Sequence, residues 1–282
     1  MTTQRISPVD ASASGEVVLP AATSRPKWPL LRRWWPPTLA IAAAVALWWL
    51  VTAVLASPRS LLRQTTPGHV AKSLVALYNR GVLLADTEVS LWRLLVGLLV
   101  AAVIAIPAGL LIGLSDVADR ASRPVVQFLR MISPLSWAPI SVAIFGIGNE
   151  PVIFLIAAAA VWPILINTAA GVHAVDPGYL LVARSFGASR IERLTAVILP
   201  AIRGHLQTGL RVALGIAWVV LVPAEMLGVR SGLGYQILNA RDQLAYGQVV
   251  AVIVVIGVIG YVLDLGARRA LSTSRRDGST AG

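Results

Sequence analysis

Residues 89–114 read VSLWRLLVGLLVAAVIAIPAGLLIGL, an apolar run in which Arg93 is the single charged side chain. About 20 apolar residues are enough for an α-helix to cross the hydrocarbon core of a bilayer, which is about 30 Å thick. A run this long and this poor in charge therefore predicts a transmembrane helix. The chain is placed among the helical membrane proteins.

Five further apolar runs flank this one, at 38–56, 125–147, 152–172, 206–227 and 248–267. Together they predict an all-α membrane protein with six transmembrane helices. The composition agrees, because 56% of the 282 residues are hydrophobic and only 13% are charged, whereas soluble domains carry about 25% charged residues. The chain has no cysteine, which excludes disulfides, thiolate metal sites and cysteine catalysis.

The distribution of lysine and arginine predicts the orientation. Segments between alternate spans carry fifteen of these residues on one side and six on the other. Because positive charge collects on the cytoplasmic side of membrane proteins, we expect both termini in the cytoplasm. The same rule accounts for the net charge of +11 without a nucleic-acid partner.

The regions outside the spans divide the chain further. We expect a disordered cytoplasmic tail at 1–27, a transmembrane domain at 28–271 and a second cytoplasmic tail at 272–282. Arg32-Arg33 before the first apolar run resembles an export signal, but the run is long enough to span and five more follow, so a retained anchor is favoured over a cleaved one. A short amphipathic helix at 67–79, with Val70, Leu74 and Leu77 on one face, is expected to lie in the membrane interface.

The cytoplasmic connection at 173–205 is longer than most connections in a helical bundle and carries its own helix signals. Asp176-Pro177 starts a helix, because aspartate caps an N-terminus and proline suits the first turn. Gly187 interrupts this helix, and Ser189 with Glu192 three residues later has the pattern of a capping box. A second short helix follows and ends at Pro200. Two short helices joined at a glycine form a rigid protrusion that can transmit a push from a soluble partner.

The string ARSFGASRIERLTAVILP at 183–200 resembles the EAA loop of ABC importer permeases, in which a glycine is followed about ten residues later by Ile-Leu-Pro. The flanking strings SPLSWAPISVAIFGIGN, WPILINTAAGV, TGLRVALGIAW and AEMLGVRSGLGY are similar to permeases of the nitrate, aliphatic sulfonate, taurine and bicarbonate group. The resemblance covers about 66–271. Leu181 and Val182 stand where that family has Glu-Ala.

The resemblance implies a type I ABC importer permease bundle (MetI-like) in the bacterial inner membrane. It implies a permease homodimer, an ABC ATPase dimer bound to the cytoplasmic loops, and an extracytoplasmic solute-binding protein. The chain has no phosphate-binding Gly-x-x-x-x-Gly-Lys-Ser/Thr motif, so ATP and Mg²⁺ would bind to the partner ATPase. This chain would carry no cofactor and would not be an enzyme. The resemblance assigns the coupling to the ATPase to Ala183, Arg184, Ser185, Phe186, Gly187, Ala188 and Pro200.

Polar residues and prolines within the spans are candidates for the translocation pathway. Proline frees backbone groups, which is tolerated in a membrane where the helix lines a cavity or is buried in protein. The candidates are Ser136, Trp137, Pro139, Ser141, Asn167, Trp218 and Glu225. Packing between helices is the alternative role for each of them.

Charged residues within the spans have separate interpretations. Glu225 lies about 28 Å along its helix from Leu206, in the outer half of the membrane. We expect it to have a gating or structural role, paired with Arg230 or with the backbone amides around Gly232 and Gly234. Ligation of a cationic group is its alternative role. Arg93 and Arg211 are expected to reach the interface with their long side chains. Asp264 is expected to pair with Arg268.

Two other functional classes compete with the importer. A stand-alone secondary transporter or channel would commonly show two related halves, and an intramembrane enzyme would need a nucleophile and a base at membrane depth. The three histidines lie outside the apolar runs, and we expect His173 to be solvated and not to bind a metal. The resemblance alone implies the substrate: a small anion, with aliphatic sulfonates or taurine ranked above nitrate, and a heterocycle as the alternative.

Overall fold

The computed structural model describes residues 31–55 and 61–272, which are almost entirely helical and contain no β-strand. The predicted tails at 1–27 and 272–282 lie outside these residues, apart from Ser272. Twelve helices are numbered here in chain order: α1 Leu31–Trp49, α2 Pro67–Asn79, α3 Val82–Leu114, α4 Asp116–Met131, α5 Ala138–Phe145, α6 Asn149–His173, α7 Pro177–Ser185, α8 Arg190–Glu192, α9 Leu199–Ala201, α10 Arg203–Gly228, α11 Leu233–Asp242 and α12 Tyr246–Ser272.

The chain divides into two compact units, the first ending at Leu47 and the second beginning at Trp48. The described part of the first unit belongs to α1. That helix continues into the second unit, where a π-helical stretch, Leu50–Leu55, follows it. The helix contacts and sites described below belong to the second unit.

Four helices of the described chain are long and apolar enough to cross a membrane: α3, α6, α10 and α12. Each extends past the predicted apolar run, most of all α3, which begins at Val82 instead of residue 89. The run at 38–56 corresponds to a shorter apolar helix, Thr38–Val54. The structure thus supports four spans, or five with the bent pair described next. The sixth span and the cytoplasmic termini remain predictions.

The predicted span at 125–147 is not one continuous helix in the structure. The structure places α4 and the segment Pro134–Phe145 there, with a bend of 83° between them. Ile132 and Ser133 adopt extended backbone angles, as expected for a residue that precedes proline. Pro134 also has no N–H with which to continue the helix.

Helices α3 and α6 pack in parallel through a stripe of small residues. Gly97, Ala101, Ala105, Gly109 and Gly113 follow one another at four-residue intervals, which places them on one face of α3. A Cβ atom at Gly97 would lie 2.5 Å from Ile156 Cγ2, and one at Gly109 would lie 2.7 Å from Thr168 Cβ. Small residues of this kind let two membrane helices approach closely.

Helix α10 lies antiparallel to α6 on the same core. A Cβ atom added at Gly209 of α10 would lie 2.9 Å from Asn167 Cβ, and one at Gly171 of α6 would lie 2.8 Å from His205 Cβ. Residues of α3, α6 and α10, including the fully buried Leu94, Ile156 and Leu221, form the main hydrophobic cluster. These three helices therefore form the rigid centre that positions the segments at its two ends.

A second cluster lies around α2. Val70 and Leu77 are buried, and Leu74 packs beside them. Their partners include Leu233 of α11 and Val252 of α12. The predicted apolar face of α2 therefore packs against protein, and the position of α2 relative to a membrane stays a prediction.

Candidate functional site

The 173–205 loop begins with a capped helix. Asp176 accepts a hydrogen bond from the Gly178 backbone N–H at 2.7 Å, and Pro177 occupies the first helical position of α7. Gly187 follows this helix with a φ of +77°, a conformation that is costly for residues with a Cβ atom. The chain therefore turns sharply at a position where glycine is required.

The second half of the loop starts with a complete capping box. The Glu192 N–H donates to Ser189 Oγ at 3.2 Å, and the Ser189 N–H donates to Glu192 Oε2 at 2.7 Å. Because this second bond stabilises the ionised carboxylate, the pKa of Glu192 is lowered. The helix continues through a π-helical stretch, Arg193–Ile198, to Ala201, one residue beyond the predicted end at Pro200.

The loop is anchored at its base and exposed at its tip. Ile198 and Ile202 are buried against Val172. At the tip, Phe186 is 87% exposed, and Ile191 and Leu181 are also largely exposed. Of the seven residues predicted to couple to the ATPase, Arg184, Ser185, Phe186, Gly187 and Pro200 are exposed, and Ala183 and Ala188 are partly buried. A large aromatic side chain held in solvent by a rigid turn suits contact with another protein.

A buried polar cluster lies at the opposite end of the helical core. The Arg93 Nη1 atom lies 2.8 Å from Glu225 Oε1, and both side chains are almost completely buried. Arg93 also donates from Nε to Asn149 Oδ1 at 2.8 Å. The Ser90 hydroxyl donates to the Glu225 carboxylate. Three helices, α3, α6 and α10, thus contribute side chains to one hydrogen-bonded cluster.

The backbone that follows α10 completes this cluster. Arg93 donates to both the main-chain oxygen and the hydroxyl of Ser231. Asp86 accepts the Gly232 N–H, and Glu225 accepts the Gly234 N–H. Gly232 has a φ of +103°, and a Cβ atom there would collide with the Glu225 carboxylate. These hydrogen bonds hold the segment 231–234 against α3. Every buried side-chain nitrogen or oxygen among the described residues has a hydrogen-bond partner.

Two predictions about this region are wrong, and one is correct. The partner of Glu225 is Arg93 and not Arg230. Arg93 is 1% exposed, so it does not reach the interface. The backbone amide of Gly234 does bind Glu225, as predicted. The earlier start of α3 explains the error, because Arg93 lies three turns inside this helix and not one. The polar spacing of Asp86, Ser90 and Arg93 along one face was the signal that could have revealed the cluster.

The other two charged residues predicted within the spans, Asp264 and Arg211, form contacts at the surface of the chain. Asp264 accepts a hydrogen bond from Arg268 at 2.7 Å, as predicted. Arg211 is exposed, with its Nε atom 3.8 Å from Asp264 Oδ1. Both contacts lie at the surface of the single chain, where ion pairs contribute little to stability.

The predicted pathway residues do not gather at one place in the single chain. Ser141 and Asn167 bond to the backbone of their own helices, at Ala138 and Pro163. Trp218 contacts both hydrophobic clusters. The remaining members differ in exposure: Ser136 and Pro139 are exposed, Trp137 is partly buried in the main cluster, and Glu225 belongs to the buried polar cluster. Their role in a pathway stays a prediction.

The fold, the 173–205 loop and the buried polar cluster together define a helical membrane protein with a rigid loop at one end. Residues 105–271 match the family model of the binding-protein-dependent transport system inner membrane component. The chain therefore belongs to this family of ABC transporter permeases.

Relatives within the family agree. The taurine transport system permease protein TauC of Escherichia coli is 34% identical over 86% of this chain and 89% of its own length. The nitrate import permease protein NrtB of Synechococcus elongatus is 31% identical over 87% of this chain and 92% of its own length. A chain of the MetNI methionine ABC transporter, solved in inward-facing conformations, has a TM-score of 0.58 and 20% identity, over 67% of this chain and 94% of that one. This last likeness shows the fold. The chain is a membrane transport subunit and not an enzyme.

Proposed function

We propose that this chain, paired with a second copy of itself, forms the translocation pathway of an ATP-driven importer for a small anion. An aliphatic sulfonate or taurine is the proposed substrate, ahead of nitrate. The relatives named for taurine and nitrate transport support an anionic substrate. A solute-binding protein would deliver the anion on the outer side, and a separate ABC ATPase would bind ATP and Mg²⁺.

The observation that carries this proposal is the 173–205 loop. Its tip presents Phe186 to solvent beside Gly187, while its base is packed into the core through Ile198 and Ile202. A rigid element that is anchored at one end and exposes an aromatic residue at the other can transmit force from a docked subunit. The loop joins α6 and α10 directly, so a displacement of the tip would move two helices of the central core.

We propose that the buried polar cluster lies toward the outer side of the membrane, at the opposite end of α10 from the loop. Glu225 lies on α10, whose other end joins the loop. It is held by Arg93 of α3. An acidic residue already paired in this way is poorly suited to bind an anion, so we assign it a structural or gating role: it keeps the segment 231–234 closed onto α3.

The test is co-purification from membranes in mild detergent, with the partners identified by mass. We expect an ABC ATPase subunit to co-purify with the wild-type chain and to be lost with Gly187→Val. A β-branched residue is a strong outlier at a positive φ, so this substitution distorts the loop tip. The matched control is Gly204→Val, at a helical glycine with nothing within 4 Å of an added Cβ atom, which should retain the ATPase. Failure of the wild-type chain to bind any ATPase would overturn the importer proposal.

A further inference from the structure

A cavity of about 610 Å³ lies beside the 173–205 loop, among α3, α4 and α6. It extends along α6 from His173, at the loop end, to Leu165, which is about 12 Å further into the helix. On α4 it runs from Asp119 to Arg130, next to the break at Met131. The cavity therefore leads from the loop end of the molecule toward the bend between α4 and α5. None of the residues predicted from sequence to line the pathway contributes to it.

One wall of the cavity is cationic. Arg123, Gln127 and Arg130 follow one another at helical spacing on one face of α4. Arg123 is neutralised, because its Nη2 atom lies 2.6 Å from Asp119 Oδ2. Arg130 is exposed and has no ion pair or hydrogen bond to any residue of the described chain. Among the Asp, Glu, Lys and Arg side chains of the lining, Arg130 is thus the one without an opposite charge beside it, and His173 is the other basic residue there.

The opposite wall is apolar apart from His173 at its loop end. Ile112 of α3 and Leu165, Ile166 and Ala169 of α6 provide hydrocarbon surface facing the polar side chains of α4. A cavity with a guanidinium on one side and aliphatic carbon on the other suits a ligand that is itself divided in this way. The guanidinium matches a planar or tetrahedral oxyanion through paired hydrogen bonds, and the aliphatic wall favours a short apolar substituent.

We propose that this cavity binds the transported solute on the loop side of the permease, as an oxyanion that carries a short alkyl group, with Arg130 as its anion-binding residue. This inference rests on the proposed function and gives its solute a binding site. An alkanesulfonate satisfies both walls, whereas nitrate and bicarbonate offer nothing to the apolar wall. The position beside the loop places the bound anion where movement of α6 or α4 would alter the site.

The absence of cysteine in the chain permits a direct test of occupancy. Ser122→Cys introduces a single thiol into the cavity lining, and Thr195→Cys introduces one on the exposed side of the loop, outside the cavity. The full-length chain is placed in phosphatidylcholine nanodiscs and labelled with neutral N-ethylmaleimide. Ethanesulfonate should slow the labelling at position 122 and leave position 195 unchanged, and the choline cation should protect neither. Equal labelling rates at position 122 with and without ethanesulfonate would overturn the proposal.

The residue assignment is tested by combining this thiol with changes to arginine. Arg130→Gln should raise the ethanesulfonate concentration needed for half-protection by about tenfold or more, because a charge-assisted hydrogen bond is lost. Arg130→Lys should fall between it and the wild type, since it keeps the charge but loses the fork geometry. Arg120→Gln is the matched control, because Arg120 is exposed on the same helix and does not line the cavity. Equal effects of the two glutamine variants would contradict a specific role for Arg130.

Two further arms separate the possible sources of the anion. If phosphatidylglycerol in the nanodisc protects position 122 and ethanesulfonate in phosphatidylcholine does not, the cavity is a lipid headgroup site and the proposal is wrong. The measurement uses the chain without ATP or an ATPase, so it is independent of the co-purification test. If ethanesulfonate protects position 122 but no ATPase co-purifies, only the importer proposal is wrong. If an ATPase co-purifies but ethanesulfonate does not protect position 122, only the cavity proposal is wrong.

Discussion

At the scale of single residues, Arg93 and Glu225 show how a membrane protein accommodates charge at depth. The guanidinium bonds to the carboxylate, to Asn149 and to Ser231, and the carboxylate also accepts bonds from Ser90 and Gly234. Removing one partner from a buried ion pair leaves the other charge uncompensated, which is far more costly than removing both.

The first prediction concerns this pair. Arg93→Gln and Glu225→Gln should each lower the free energy of unfolding by about 3–5 kcal/mol, and the double variant should lose less than the sum of the two. Thermal unfolding in detergent, followed by tryptophan fluorescence, provides the measurement. Asp264→Asn is the control, because its partners Arg268 and Arg211 are solvent-exposed. A double variant whose loss equals the sum would show that the two side chains act independently.

At the scale of elements, the contact between α3 and α6 depends on the absence of side chains. Gly109→Leu should destabilise the protein by about 1–3 kcal/mol or more, because the new side chain would meet Thr168 and the Leu165 backbone oxygen at less than 3 Å. Gly257→Leu in α12 is the matched control, since nothing lies within 4 Å of a Cβ atom there. The same thermal measurement applies. If both variants lost the same stability, the destabilisation would come from the surface that faces the bilayer and not from the contact between α3 and α6.

The capping box of the 173–205 loop gives an element-scale prediction with a pH dependence. The pKa of Glu192 is lowered from 4.5 by the Ser189 N–H. The stabilisation it supplies is therefore fully present above pH 4.5 and is lost as the pH falls through the lowered value. The protection factors of the amides in 190–198, which correct for the intrinsic pH dependence of exchange, should fall over that acidic range in the wild type. Glu192→Gln should lack this pH dependence, and Thr195→Ala should keep it. A wild-type loop with the same protection on both sides of the transition would contradict the assignment.

At the scale of the whole molecule, the two candidate sites lie at opposite ends of α6 and α10. The loop joins the C-terminus of α6 to the N-terminus of α10, and the buried cluster includes Asn149 at the start of α6 and Glu225 near the end of α10. Helix α10 contains 26 residues, about 39 Å of helix, which is enough to separate two membrane surfaces.

The last prediction follows from this arrangement. Single cysteines introduced by Ser185→Cys, in the loop, and Gln243→Cys, after α11, should react from opposite sides of the membrane. Both positions are exposed, and the chain has no native cysteine to interfere. An impermeant thiol reagent applied to right-side-out and inside-out vesicles distinguishes the sides. Reaction of both from the same side would contradict the proposed topology, and the positive-inside orientation requires that Ser185→Cys react only in inside-out vesicles.

Much of this molecule follows from the sequence because the signals involved are local. Apolar runs long enough to cross a bilayer predict helices whatever their neighbours are, and Asp176, Ser189 and Glu192 cap helices with groups only two or three residues away. The string at 183–200, with its flanking motifs, was sufficient to identify the permease family. These features need no knowledge of what packs against them.

The partner of Glu225 and the cavity around Arg130 were decided by tertiary structure. Arg93 and Glu225 are 132 residues apart in the chain, and their pairing depends on the parallel and antiparallel packing of α3, α6 and α10. Arg130 acquires its significance only because α6 supplies an apolar wall and no acid opposite it. Local sequence determines which helices form, whereas the charge that each buried side chain meets depends on which helix faces it across the core.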